Sequence, residues 1–95
     1  NTLEQQQMQE AFLKWGKKML EDTKKLFDDE GIEVETRLIR DQSPVDYVKN
    51  VTKNEGFDLV ATGCKGHHSK LKEIFLGSVA HKISNEAYCD VLVVR

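Results

Sequence analysis

The sequence predicts an α/β protein: a single domain over residues 1–95 with an open parallel sheet that is doubly wound by helices. Three observations support this class. The chain opens with a long segment of helical apolar spacing, short apolar segments follow, and helical and strand-like segments then alternate to the end. Because strands that alternate with helices favour parallel pairing, we expect three parallel strands, at about residues 32–39, 57–63 and 91–95.

The first helix is predicted from an apolar stripe along one face. Its members follow each other at steps of 4, 3, 4 and 7 residues: Met8, Phe12, Trp15, Met19 and Leu26. Thr2 and Gln5 resemble a capping box, so the helix starts near Thr2, and Gly31 supplies the stop. A coiled coil is the alternative interpretation of this stripe, but strict heptads are not sustained.

The middle of the chain predicts two strands around a second helix. Residues 32–39 alternate between apolar and polar, which is typical of a strand with one wet face. Ser43, Pro44 and Asp46 then suit the cap, first position and first turn of a helix that ends near Gly56. Residues 57–63 form a mostly apolar run that predicts a buried parallel strand.

The composition argues against several classes of partner and location. The net charge of −2 argues against a surface built for nucleic acid, and the apolar runs are too short to span a membrane. The chain opens without a secretory signal. Cys64 and Cys89 form no CxxC pair, so we expect no disulfide framework. Because disulfides are rare in the reducing cytoplasm, we expect a cytoplasmic location.

The segment from Gly63 to Ser78 carries the strongest functional signal. It follows the carboxyl end of a predicted strand, where open α/β sheets bind ligands. Two glycines three residues apart allow close approach of the backbone, and Gly77 and Ser78 open a helix that runs to about Asn85. Residues 63–72 hold three lysines and no acid. The pattern predicts a phosphate site, but it is neither a Walker A loop nor a GxGxxG fingerprint, so spacing alone leaves the ligand open.

Three stretches together resemble the universal stress protein (UspA-like) family in its ATP-binding subclass. These are Thr62-Gly63-x-x-Gly66, residues 71–79 ending in Gly-Ser-Val, and residues 89–95. The resemblance implies a doubly wound, five-stranded parallel sheet and bound ATP, with Mg²⁺ held by the phosphates and no metal ligand from the protein. The implied nucleotide contacts are Thr62, Gly63, Gly66, Gly77, Ser78 and Val79, with Lys65 and Lys70 neutralising phosphate charge.

The chain departs from the family pattern in three places. One extra residue separates Gly66 from Gly77, and Asp90 stands where the family has proline. The family's first strand, helix and strand, which recognise adenine, have no counterpart here. We therefore expect the C-terminal part of a universal stress protein-like domain, completed by a longer chain, a cleaved segment or a swapped partner. Alternatively, residues 32–39 pair directly with residues 57–63.

The function implied by this resemblance is that of a cytoplasmic, ATP-binding regulatory protein of the stress response. No base or nucleophile stands out, so at most slow ATP hydrolysis is expected. A homodimer through strand Val91–Arg95 is implied, with no nucleic acid or membrane partner. The alternative is a homodimeric interaction module of the same fold without nucleotide. Two weaker alternatives are zinc on Cys64, His67, His68 and His81, and a nucleophilic Cys64.

Overall fold

The computed structural model describes residues 2–63 and 77–95. In chain order these ranges hold α1 (Thr2–Asp29), α2 (Pro44–Asn54), β1 (Leu59–Gly63), α3 (Ser78–Glu86) and β2 (Asp90–Val94). The chain divides into two compact units, Asn1–Arg40 and Asp41–Arg95. The prediction of an α/β chain with parallel strands is confirmed at this level.

Helix α1 has the predicted bounds and a complete Schellman end. Gly31 adopts a φ of +71°, a conformation that glycine reaches without steric cost. The Ile32 N–H donates to the Phe27 carbonyl at 2.9 Å, and the Gly31 N–H donates to the Asp28 carbonyl at 3.0 Å.

None of the helices in the described ranges has the length and apolar content that a bilayer-spanning helix requires.

The apolar stripe of α1 is largely exposed. Trp15 is 57% exposed and Met8 72% exposed. In its unit, α1 has only the residues after its end to pack against. Gly16 is the buried position of this helix, and a Cβ added there would lie 2.9 Å from Leu38 Cδ1.

The prediction of a strand at about residues 32–39 is wrong. Residues 32–40 form no strand, and the described sheet has two strands rather than three. The alternative, direct pairing of residues 32–39 with residues 57–63, is also absent from that sheet. The backbone still places alternate side chains on one side, because Glu35 and Arg37, two residues apart, form an ion pair at 3.1 Å. A strand, however, needs a hydrogen-bonded neighbour, and alternation cannot supply one.

The two described strands are parallel, in a register that runs from Leu59 opposite Asp90 to Gly63 opposite Val94. Both differ slightly from the predicted bounds: β1 begins at Leu59 rather than residue 57, and β2 covers Asp90–Val94. The expectation that residues 57–63 form a buried strand is corrected, because exposed and half-buried residues alternate along β1, as they do along β2. One sheet face is left bare, with Leu92 53% exposed.

The second unit is held together where α2 and α3 pack. Ala80 and Ile83 of α3 are each 3% exposed, and Thr52 of α2 is 5% exposed. The Thr52 hydroxyl donates to the Val48 carbonyl at 2.7 Å and accepts the Tyr88 N–H at 3.1 Å. This side chain therefore ties α2 to the turn that leads into β2.

Candidate functional site

The first turn of α3 presents backbone amides that no side chain in the described ranges caps. Gly77 is the N-cap residue, and the first intrahelical bond runs from the His81 N–H to the Gly77 carbonyl at 2.9 Å. The amides of Ser78, Val79 and Ala80 precede that bond, so they have no acceptor within the helix. The first turn also carries no acid. Its positive end is therefore uncompensated by the described residues.

Helix α2 begins in the opposite way. The Ser43 hydroxyl accepts the Asp46 N–H at 3.2 Å, and Pro44 at the first position has no N–H to satisfy. Asp46 also places a carboxylate in the first turn. The sequence predicted these three roles, and the structure confirms them. An anion is thus favoured at the start of α3 and disfavoured at the start of α2.

The connection to β2 orients α3 relative to the sheet. Only residues 87–89 separate the end of α3 at Glu86 from the start of β2 at Asp90. The carboxyl end of α3 consequently lies near the amino ends of the parallel strands. Its first turn points toward the opposite edge, at which β1 ends with Gly63, and open α/β sheets bind ligands at that edge.

A cleft separates the first turn of α2 from one side of α3. Its volume is about 420 Å³, within the range of small-molecule sites. Its lining comes from α2 with its N-cap residue and from α3: Ser43, Pro44, Val45, Asp46, Ser78, Val79, Lys82 and Glu86. We call this the α2–α3 cleft. It combines an apolar wall with two hydroxyls and three charged groups.

The charges of the α2–α3 cleft are not paired with each other. Asp46, Lys82 and Glu86 are exposed, and none of them takes part in the salt bridges found among the described residues. An ammonium beside uncapped amides attracts an anion. The two carboxylates can accept hydrogen bonds from hydroxyl or amino groups of the same ligand.

The structure brings together only part of the predicted site. Gly77 caps α3, and Ser78 and Val79 line the cleft. Thr62 and Gly63 end β1, where the Thr62 hydroxyl lies 3.4 Å from the Gly63 carbonyl, and neither lines the cleft. The other predicted contacts lie outside the described residues: Lys65, Gly66 and Lys70.

Lys82 and Glu86 are cleft residues that sequence reasoning missed as binding groups. Their spacing could have indicated them, because they follow Ser78 by four and eight residues and therefore share a face of the helix with it. The predicted role of Ser43 and Asp46 was limited to capping.

The zinc and thiolate alternatives gain no support from the described residues. Residues 2–63 and 77–95 contain no group of three His, Cys, Asp or Glu side chains placed to hold a metal. The His81 Nε2 instead lies 3.3 Å from the Asn85 amide nitrogen. Cys64, His67 and His68 fall outside the described ranges.

Comparison with known proteins agrees with the sequence resemblance. A family model described as "Universal stress protein family" matches residues 2–95. The chain is 39% identical over 82 residues to universal stress protein YxiE of Bacillus subtilis, an alignment that covers 86% of this chain and 54% of the relative. It is 30% identical over 80 residues to universal stress protein MJ0531 of Methanocaldococcus jannaschii, covering 84% and 46%.

The chain spans about half the length of these curated relatives. No solved structure gives a significant match. Since the family model covers the chain from residue 2 to residue 95, the protein belongs to the universal stress protein family.

Proposed function

We propose that the protein is a cytoplasmic regulatory protein of the stress response that binds ATP, with the phosphates on the segment from Gly63 to Ser78. The observation that carries this proposal is the uncapped first turn of α3. Its N-cap glycine has no side chain to occupy the amides, and its first turn has no acid to oppose a phosphate. Helix α2, which is capped and acidic, lacks both properties.

Main-chain groups hold the ligand in this proposal. The N–H groups of Ser78 and Val79 donate to phosphate oxygens, and Thr62, Gly63 and Gly66 are the further contacts that the family resemblance implies. Mg²⁺ is carried by the phosphates, as is usual for nucleotides. In this proposal ATP occupancy, rather than rapid hydrolysis, is the signal.

Ser78→Pro tests the amides directly. Proline is well tolerated at the first position of a helix, and the extended backbone of Gly77, with φ −60° and ψ 158°, suits a residue that precedes proline. The substitution deletes one N–H and the hydroxyl but leaves the helix. A hydrogen bond to a charged oxygen is worth about 1.5–3 kcal/mol, so we expect ATP affinity to fall about tenfold or more in calorimetric titration.

Ser78→Ala is the matched control, because it removes the hydroxyl and retains the amide. We expect it to bind ATP within about twofold of the wild type, and Gly66→Val to abolish binding. Equal affinities of Ser78→Pro and the wild type would contradict the proposed phosphate site. Circular dichroism of both Ser78 variants checks that α3 is retained.

The second candidate is a homodimeric interaction module without nucleotide. The bare face of the sheet favours it, since Leu92 and Val94 of β2 are 53% and 50% exposed. An absence of ATP binding combined with a stable dimer would select this function over the first.

A further inference from the structure

Lys82 and the start of α3 face the same cavity. Lys82 lies one helical turn after Ser78, and both line the α2–α3 cleft together with Val79. Long side chains on a helix lean toward its amino terminus and cover the preceding turn. A lysine at this position can therefore reach back over the turn that carries the uncapped amides.

The ammonium is available for a ligand. The described ion pairs of the chain join other residues, and Lys82 takes part in none of them. Glu86, four residues later on the same helix, and Asp46, across the cleft, do not neutralise it by direct contact.

The lining of the cleft combines three kinds of group. Lys82 is a cation, Asp46 and Glu86 are carboxylates, and Pro44, Val45 and Val79 are apolar. A ligand that carries both a phosphate and hydroxyl or amino groups matches this combination. An anion without such groups would face the carboxylates unfavourably.

We propose that the α2–α3 cleft is a binding site for a phosphorylated small molecule and that Lys82 is its phosphate-binding cation. The inference rests on the proposed nucleotide function, which it deepens by adding a side chain outside the Gly63–Ser78 segment. Asp46 and Glu86 restrict the site to ligands whose remaining groups donate hydrogen bonds. Free polyanions bind there less tightly than ATP.

Lys82→Gln tests the proposal by calorimetric titration with ATP, adenosine and inorganic tripolyphosphate. We expect the affinity for ATP to fall about tenfold, the affinity for tripolyphosphate to fall by a similar factor, and any adenosine binding to stay unchanged. Lys82→Arg retains the charge and should keep ATP affinity within about threefold. Lys49→Gln is the matched control, because Lys49 is an exposed lysine of α2 that does not line the cleft.

The outcomes separate this inference from the proposed function. If the wild type binds tripolyphosphate in a manner that depends on Lys82 but binds ATP no better, the nucleotide function and the selectivity assigned to Asp46 and Glu86 fail, and Lys82 stands as a phosphate-binding cation. If the wild type binds ATP and Lys82→Gln behaves as Lys49→Gln does, the role of Lys82 is refuted and the nucleotide function stands. Failure of the wild type to bind either ligand overturns both. Unchanged thermal unfolding of Lys82→Gln excludes a fold defect.

Discussion

The Thr52 hydroxyl both donates and accepts a hydrogen bond in the second unit. It donates to the backbone of its own helix and accepts the Tyr88 N–H from a segment 36 residues away. Tyr88 also lies under the Lys53 ammonium, which is 5.9 Å from the ring centroid. Two adjacent residues of α2 thus fix the turn that aims β2 into the sheet, and only one of them is buried.

Thr52→Val should lower the free energy of unfolding in urea by about 1–3 kcal/mol, because the Tyr88 amide loses its acceptor while shape is nearly conserved. The Tyr88 amide should also exchange faster with deuterium. Thr23→Val is the control: the Thr23 hydroxyl makes the same type of bond, to the Met19 carbonyl at 2.8 Å, but is exposed and accepts no distant amide. Equal losses in both variants would show that the Tyr88 bond contributes nothing.

At the scale of single elements, the features that local sequence decides could be predicted, and the features that depend on a packing or pairing partner could not. The capping role of Ser43 and the stop at Gly31 are confirmed because each is decided within a few residues of chain. The strand at residues 32–39 failed because its existence depends on a neighbour. The same holds for the site: Gly77 and Ser78 at the start of α3 were predictable, whereas the opposing wall from α2 follows from packing of the two helices.

The contact between α1 and Leu38 can be tested with a double-mutant cycle. Gly16→Ala gains about 1 kcal/mol of helix propensity, but the new Cβ would lie 2.9 Å from Leu38 Cδ1, which must move. We expect Gly16→Ala to be more stabilising in a Leu38→Ala background than in the wild type, by about 0.5 kcal/mol or more. Trp15, the single tryptophan, reports the unfolding of α1 by fluorescence. Identical effects in both backgrounds would show that Leu38 does not pack on Gly16.

At the scale of the whole molecule, the described sheet is small for the class. Its two strands leave one outer edge each, and its bare face carries Leu59, Leu92 and Val94. Exposed edges and apolar faces favour association. The expectation that a strand–helix–strand portion is supplied from elsewhere stays a prediction, as do the single domain and the homodimer through Val91–Arg95. The supplied portion and the homodimer would each cover surface that these two strands leave open.

The homodimer makes a prediction of its own. If two copies associate through β2, the wild type should sediment as a dimer at micromolar concentration, and Leu92→Lys should shift it to monomer because a lysine on an edge strand opposes pairing with a second copy. Leu92 lies opposite Ala61 on the exposed face, so the substitution leaves the half-buried face toward the helices intact. Gln6→Lys adds the same charge at an exposed position of α1 and should remain dimeric. A wild type that sediments as a monomer removes the homodimer, and a Leu92→Lys variant that stays dimeric places the interface elsewhere.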